Sequence, residues 1–192
     1  MAEQKKSIFD SVKNGVIEAI RGVGDVAEAV VDTVSGTLVS ALRGVRAITN
    51  ETLGLIFDTV SAAVKGVAEV GGDVTAAARS SVLGVIRGTK DVATGSAEAI
   101  SASAEAAVKA VADVGGDVTG AARGAVEGAI EGAKEVGMKA EDAAAAAASG
   151  ALKGAGKIST TAVEQVRNVV TGTISGVKVV VQEPFKGEEE KK

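Results

Sequence analysis

The stretches VGGDVTAAARSSVLGVIRG (70–88) and VGGDVTGAARGAVEGAIEG (114–132) decide how this chain is read. They lie 44 residues apart, and VRNVVTGTISG (166–176) continues the series. Halving the offset brings VKNGVIEAIRG (12–22), VSGTLVSALRG (34–44) and IFDTVSAAVKG (56–66) onto the same phase. ISASAEAAVKA (100–110) and AAAAASGALKG (144–154) fall on it as well. The unit is therefore 22 residues long and runs eight times without insertion from Val12 to Gly187. Internal periodicity of this kind is read before any motif.

Four columns of the unit set the expectation. The ninth is always aliphatic: Ile20, Leu42, Val64, Ile86, Val108, Ile130, Leu152 and Ile174. The fifteenth is always β-branched: Val26, Ile48, Val70, Val92, Val114, Val136, Ile158 and Val180. The eleventh is Gly in seven of eight copies, with Ala110 the exception, and the tenth is Lys or Arg in six. Twenty-two is twice eleven, and eleven residues make three helical turns at about 3.67 residues each. Strand alternation fits no long stretch. On such a helix the first, fifth, ninth, twelfth and fifteenth columns form one apolar stripe about 130° wide.

The polar side is a ridge of base-first pairs four residues apart: Arg21–Asp25, Lys65–Glu69, Arg87–Asp91 and Lys109–Asp113. These read as solvated, worth a few tenths of a kcal/mol each. One flank of the stripe is basic, with Lys13, Arg46, Arg79, Lys90, Arg123, Lys134, Arg167 and Lys178. The other flank is small. Gly84/Gly88, Gly128/Gly132, Gly150/Gly154 and Gly172/Gly176 make four GxxxG steps in one phase, the spacing that lets helix backbones approach closely.

Composition removes whole classes of chemistry. The 192 residues hold no Cys, His, Trp or Tyr, only 3 Phe, and 25 Gly. No thiol, disulfide, zinc-thiolate site or histidine-based triad can be built. A net charge of −4 without stacking aromatics argues against nucleic acid as a partner. No run reaches the ~18 apolar residues of a membrane span, and MAEQKKSIFDSVKNGVIEAI (1–20) lacks an apolar signal core. The expectation is a cytoplasmic, non-enzymatic protein with no cofactor, no metal and no small-molecule substrate, peripheral on a membrane or a lipid or polymer inclusion if it meets one.

Local motifs add little. GAGKIST (154–160) approaches a phosphate loop, but Ala151 stands at its first glycine position and Ile158 replaces the hydroxyl residue after the lysine. Asn50-Glu51-Thr52 matches a glycosylation sequon without any sign of secretion. Phe9, Phe57 and Phe185 read as packing or interfacial residues rather than ligand contacts. Gly71-Gly72 and Gly115-Gly116 are candidate breaks, each followed by an Asp able to cap a new helix.

The Val/Ala/Gly/Thr-rich 11-residue pattern resembles that of synucleins, perilipins, exchangeable apolipoproteins and group 3 late-embryogenesis-abundant proteins. The resemblance covers nearly the whole chain and implies lipid-surface binding or desiccation protection. The chain lacks the proline punctuation of apolipoproteins. At a mean hydropathy of +0.26 it is also more apolar than typical desiccation proteins.

The expected architecture is all-α: long amphipathic helices with an 11/3 period, extended or folded into long hairpins, without a compact globular core. Residues 1–11 are a lead-in, 12–183 the repeat helices, and 184–192 a charged flexible tail. The expected role is a structural coat or scaffold on a lipid membrane or apolar granule surface, its helices packed side by side into a homo-oligomer through the Gly/Ala flank. Lipid-free assembly into a bundle, filament or tube is the alternative, and stress protection the third reading.

Overall fold

A computed structural model describes residues 2–43, 49–90 and 96–181. Among these residues the chain forms α1 (Ala2–Val23), α2 (Val26–Ala41), α3 (Asn50–Glu69), α4 (Val74–Thr89), α5 (Ser96–Asp113), α6 (Val118–Val136), α7 (Ala140–Gly156) and α8 (Thr160–Val170). A hairpin of β1 (Gly172–Ile174) and β2 (Val177–Val179) follows. The expectation of long helices without a compact core is overturned. The chain instead reverses about once per 22 residues, into helices of 11 to 22 residues, and the last repeat turns into the hairpin. The helices stack in two layers, α1-α3-α5-α7 against α2-α4-α6-α8.

The reversals have a local cause. After α3, Gly71 adopts φ +71, and the Gly72 N–H donates to the Val67 carbonyl at 2.9 Å. After α5, Gly115 adopts φ +75, and the Gly116 N–H donates to the Val111 carbonyl at 2.9 Å. This is the bond that closes a helix through a left-handed residue, a conformation without steric cost only for glycine. The next residue then starts a new helix. Asp73 Oδ1 accepts from the Thr75 and Ala76 N–H groups at 2.8 and 3.1 Å, and Asp117 Oδ1 from the Thr119 N–H at 3.0 Å. Asp25, expected on the solvated ridge, does the same for α2, accepting from the Ala27 and Glu28 N–H groups at 2.8 and 3.1 Å. Ser159 Oγ, inside the loop-like GAGKIST stretch, caps α8 through the Ala162 N–H at 3.0 Å.

Between turns the stripe keeps its phase. The whole first column (Val12, Val34, Ile56, Ala78, Ile100, Ala122, Ala144, Val166) is buried, as is the whole fifth column from Val16 to Val170. So is the ninth, apart from half-buried Ile20. These columns meet between the layers and form two adjoining cores. The one on the N-terminal side is filled by Leu38, Ile56, Val60, Val64 and Val67. The other is thin and rich in alanine, with Ala129, Ala143, Ala147, Ala148 and Ala151 around Ile100, Ile130 and Leu152.

The fifteenth column leaves the stripe because it falls at the reversals. Val70 is the C-cap of α3, Val114 follows α5 at 37% exposure, and Ile158 follows α7 at 38%. Val26 and Val136 are half-buried at helix ends. Val180, just past β2, is 63% exposed. Ile48 and Val92 lie outside the described residues, as does the 184–192 tail. Residues 2–11 of the expected lead-in are part of α1.

Candidate interaction surfaces

Glycine lets the helices of one layer touch. A Cβ built at Gly84 would stand 3.0 Å from the Val31 carbonyl oxygen, and one at Gly88 2.8 Å from Leu38 Cβ, both on α2. On α6, Gly132 would meet Ile86 Cδ1 at 2.8 Å, and Gly128 lies directly on the Arg79 carbonyl of α4. On α7, Gly154 would meet the Glu105 carbonyl oxygen at 2.8 Å, and Gly150 lies on the Ser101 backbone of α5. Gly66 of α3 stands likewise 2.9 Å from the Lys13 carbonyl oxygen of α1. Six of the eight flank glycines thus sit in seams between a helix and its neighbour two elements away.

The remaining pair, Gly172 and Gly176, corrects the helical reading of the last repeat. They adopt φ +105 and +81 and belong to the hairpin, with Gly176 and Ser175 (φ +49) forming its two-residue turn. Positive φ at both central residues is what a tight hairpin requires. The β-branched run Thr171, Thr173, Ile174, Val177, Val179 favours strand there over helix.

The polar columns form ion pairs between helices more than along them. Lys13 pairs with Glu69 at 2.9 Å across α1 and α3, and Arg79 with Glu131 at 2.7 Å across α4 and α6. Arg87 grips Glu135 through two bonds of 2.6 and 2.7 Å. The Glu135 hydrogen bond lifts the Arg87 pKa, and the same bond holds Glu135 below the usual carboxylate range. Lys13 is raised by its bond to Glu69. Asp117 is lowered, first by the Thr119 hydroxyl and then by backbone N–H groups at the start of α6.

Of the expected ridge pairs, Lys109–Asp113 is formed within α5. Lys65 reaches Asp113 at 4.0 Å, while Glu69 is held by Lys13. Arg87 turns to Glu135, and Asp91 lies outside the described residues. Bases here find acids 48 to 56 residues away, as in Lys13–Glu69, Arg79–Glu131 and Arg87–Glu135. That spacing is two repeats plus one to three helical turns, and it could have been read from the columns.

The basic flank therefore forms no single surface. Lys13 lies on α1, Arg79 on α4 and Arg123 on α6, where it pairs with Glu127 at 3.0 Å. Lys134 is near the end of α6 and Lys90 just past α4. Arg167 is on α8 and Lys178 on β2, while Arg46 lies outside the described residues. Two aromatics take cations: Lys65 lies 5.6 Å from the centroid of Phe9 and Lys157 5.7 Å from that of Phe57.

The outer face of α2, α4 and α6 carries a groove of about 700 Å³, floored by Val31, Ala76 and Leu83. The Arg79, Arg87 and Arg123 lining it all hold glutamates on α6. Among the described residues no cluster of acids has metal-holding geometry, and no helix is long and apolar enough to cross a membrane.

Two layers of short helices, each stacked on the copy two elements back, define the class of helical repeat proteins. Among solved structures, the crystal structure of the de novo designed helical repeat protein DHR7 is similar. It has a TM-score of 0.50 and 21% identity, over 88% of this chain and 92% of that one. At that identity the likeness concerns the fold alone. No protein-family profile and no curated protein sequence matches this chain.

Proposed function

We propose that the protein is a non-enzymatic structural scaffold, a folded helical-repeat body that works by packing against copies of itself. One observation carries this reading. The apolar stripe and the glycine flank, the two features conserved in phase through the repeat, are both used in contacts of helix on helix. Repeat bodies of this kind gain stability from each nearest-neighbour interface, so extension by further copies follows the same physics. The reading carries a cytoplasmic location and no cofactor with it.

Circular dichroism of dilute protein, with and without anionic vesicles, tests it. A scaffold is fully helical without lipid, unfolds cooperatively, and gains no helix from vesicles. A chain that is largely unfolded alone and becomes helical only on vesicles would refute the scaffold. It would support a lipid coat whose stripe faces the acyl chains.

A further inference from the structure

The groove over α4 has two unequal walls. Three arginines line it, and each is matched by a glutamate on α6: Arg79 by Glu131, Arg87 by Glu135 and Arg123 by Glu127. The opposite wall, on α2, carries Glu28 and Asp32. Both are exposed, and among the described residues neither carboxylate has an ion pair or a hydrogen bond. Asp32 lies within the field of Arg87, but Glu135 already grips that guanidinium through two bonds. The α2 wall therefore keeps negative charge that no base of the described chain takes up.

A second feature points to a ligand independently. Ser80, on the groove floor, is only 5% exposed. Its hydroxyl has no hydrogen-bond partner among the described residues, and it opens on the groove instead of being sealed in as those of Thr59 and Ser81 are. Polar groups buried to this degree are normally paired. Around Ser80 the floor is apolar, with Val31, Ala76 and Leu83, and the walls are low at Ala27, Gly120 and Gly124. The groove follows α4 from Asp73 to Arg87, about 21 Å at the helical rise.

We propose that this groove receives a basic amphipathic helix of a partner protein, laid along α4 with apolar side chains on Val31, Ala76 and Leu83 and two cations on Glu28 and Asp32. Charge complementarity selects the occupant. Glu28 and Asp32 stand one helical turn apart, so Lys or Arg residues four apart on a helix running beside α2 meet them in register. A polar side chain on the buried face of that helix completes Ser80. A length of about 21 Å takes roughly four turns, and laying the apolar face of a helix into a groove is an established mode of recognition. An acidic helix would set like charges against the α2 wall and is rejected. This site requires no contact between copies of the chain, so it stands apart from the scaffold reading.

The test is fluorescence anisotropy of a labelled synthetic helix titrated with the full chain at about 150 mM salt. The probe has about 14 residues, a Leu face bearing one Ser, and Lys residues four apart on its flank. A second probe carries Glu in place of Lys. The basic probe should bind saturably at an equimolar ratio, and the acidic one should not bind. Glu28→Gln with Asp32→Asn should weaken the basic probe about 3- to 10-fold. Glu98→Gln with Glu141→Gln removes the same charge from exposed sites on α5 and α7 and should change binding by less than about 2-fold. Ala76→Phe puts a ring into the groove and should abolish binding at unchanged helix content; if that variant does not fold, the two charge variants decide alone. No binding of the basic probe, equal losses from the two charge variants, or full binding by a folded Ala76→Phe chain would each overturn the proposal. None of these results would touch the lipid-free helicity on which the scaffold reading stands.

Discussion

Substituting alanine at Gly150 and at Gly36 should change stability in opposite directions. Both lie inside helices, where Gly→Ala contributes about 1 kcal/mol through propensity alone. At Gly36 nothing stands within 4 Å of the new methyl, so that gain should appear in full. At Gly150 the methyl falls on the Ser101 carbonyl and Cα of α5, which are backbone atoms and cannot rotate away. The α5–α7 pair must separate, and forced overpacking of this kind costs about 1–3 kcal/mol. The net is a loss of about 0–2 kcal/mol at Gly150 against a gain of about 1 at Gly36. Adding Gly154→Ala, whose methyl would lie 2.8 Å from the Glu105 carbonyl oxygen, should deepen the loss. Urea unfolding followed by circular dichroism measures each change, with an unchanged slope as the check that one transition is being compared. If Gly150→Ala stabilises as much as Gly36→Ala, the two helices do not touch there and the seam argument fails.

Three further outcomes follow from the same geometry. Ile130→Glu, at a site 1% exposed, should cost roughly 4 kcal/mol or more, whereas Arg87→Gln removes an exposed pair and should cost about 1 kcal/mol or less by the same urea assay. Thr59 and Ser81 bury hydroxyls without a partner, so Thr59→Val and Ser81→Ala should each raise the melting temperature; a fall would mean that the hydroxyls are satisfied in solution. Asp117 and Glu135 have folded pKa values below their ordinary ones, so the unfolded chain takes up protons first as acid is added. Their contribution is complete above the usual carboxylate range and is lost as pH falls through the folded values. Asp117→Asn keeps a capping side chain without a titrating one, and its melting temperature should fall less between neutral and acid pH than that of the natural chain.

Much of this fold is visible in the residues. The first, fifth and ninth columns are buried almost throughout but name only about half of the core, since Val30, Val67, Ala129 and Ala147 lie outside them; the glycine columns name most of the seams. Asp73 and Asp117 cap the helices that follow the two Gly-Gly pairs. The remaining reversals carry weaker marks. The turn after α1 uses Gly24 with Asp25, and the one after α6 uses a lone Gly137 followed by Met138 and Lys139. Asp25 also fits a pair with Arg21 on a continuous helix, so its capping role is hidden by an equally good local alternative. The hairpin was hidden for a related reason. Ile174 and Gly176 keep their repeat columns, and only the density of β-branched neighbours and two adjacent positive-φ positions turn that unit from helix to strand.

The period itself cannot separate a rod from a stack. A helix of 3.6 residues per turn and one of 3.67 differ by about 2° per residue, or about 35° over an 18-residue helix. That drift is small beside a stripe about 130° wide, so one pattern serves a continuous superhelix and a series of ordinary short helices equally well. The choice falls to energetics. A single rod would leave the first, fifth and ninth columns in water along its whole length, with glycines weakening it at every turn of the unit. Folding back every 22 residues buries all three columns. It also turns the seam glycines from weak points into places where a neighbouring backbone can approach, as Gly84 does against Val31 and Gly154 against Glu105. The residues that make the isolated helix poor are those that make the stack close, which is why Gly and Ala hold the seam columns while the larger Leu and Ile side chains keep to the stripe between the layers.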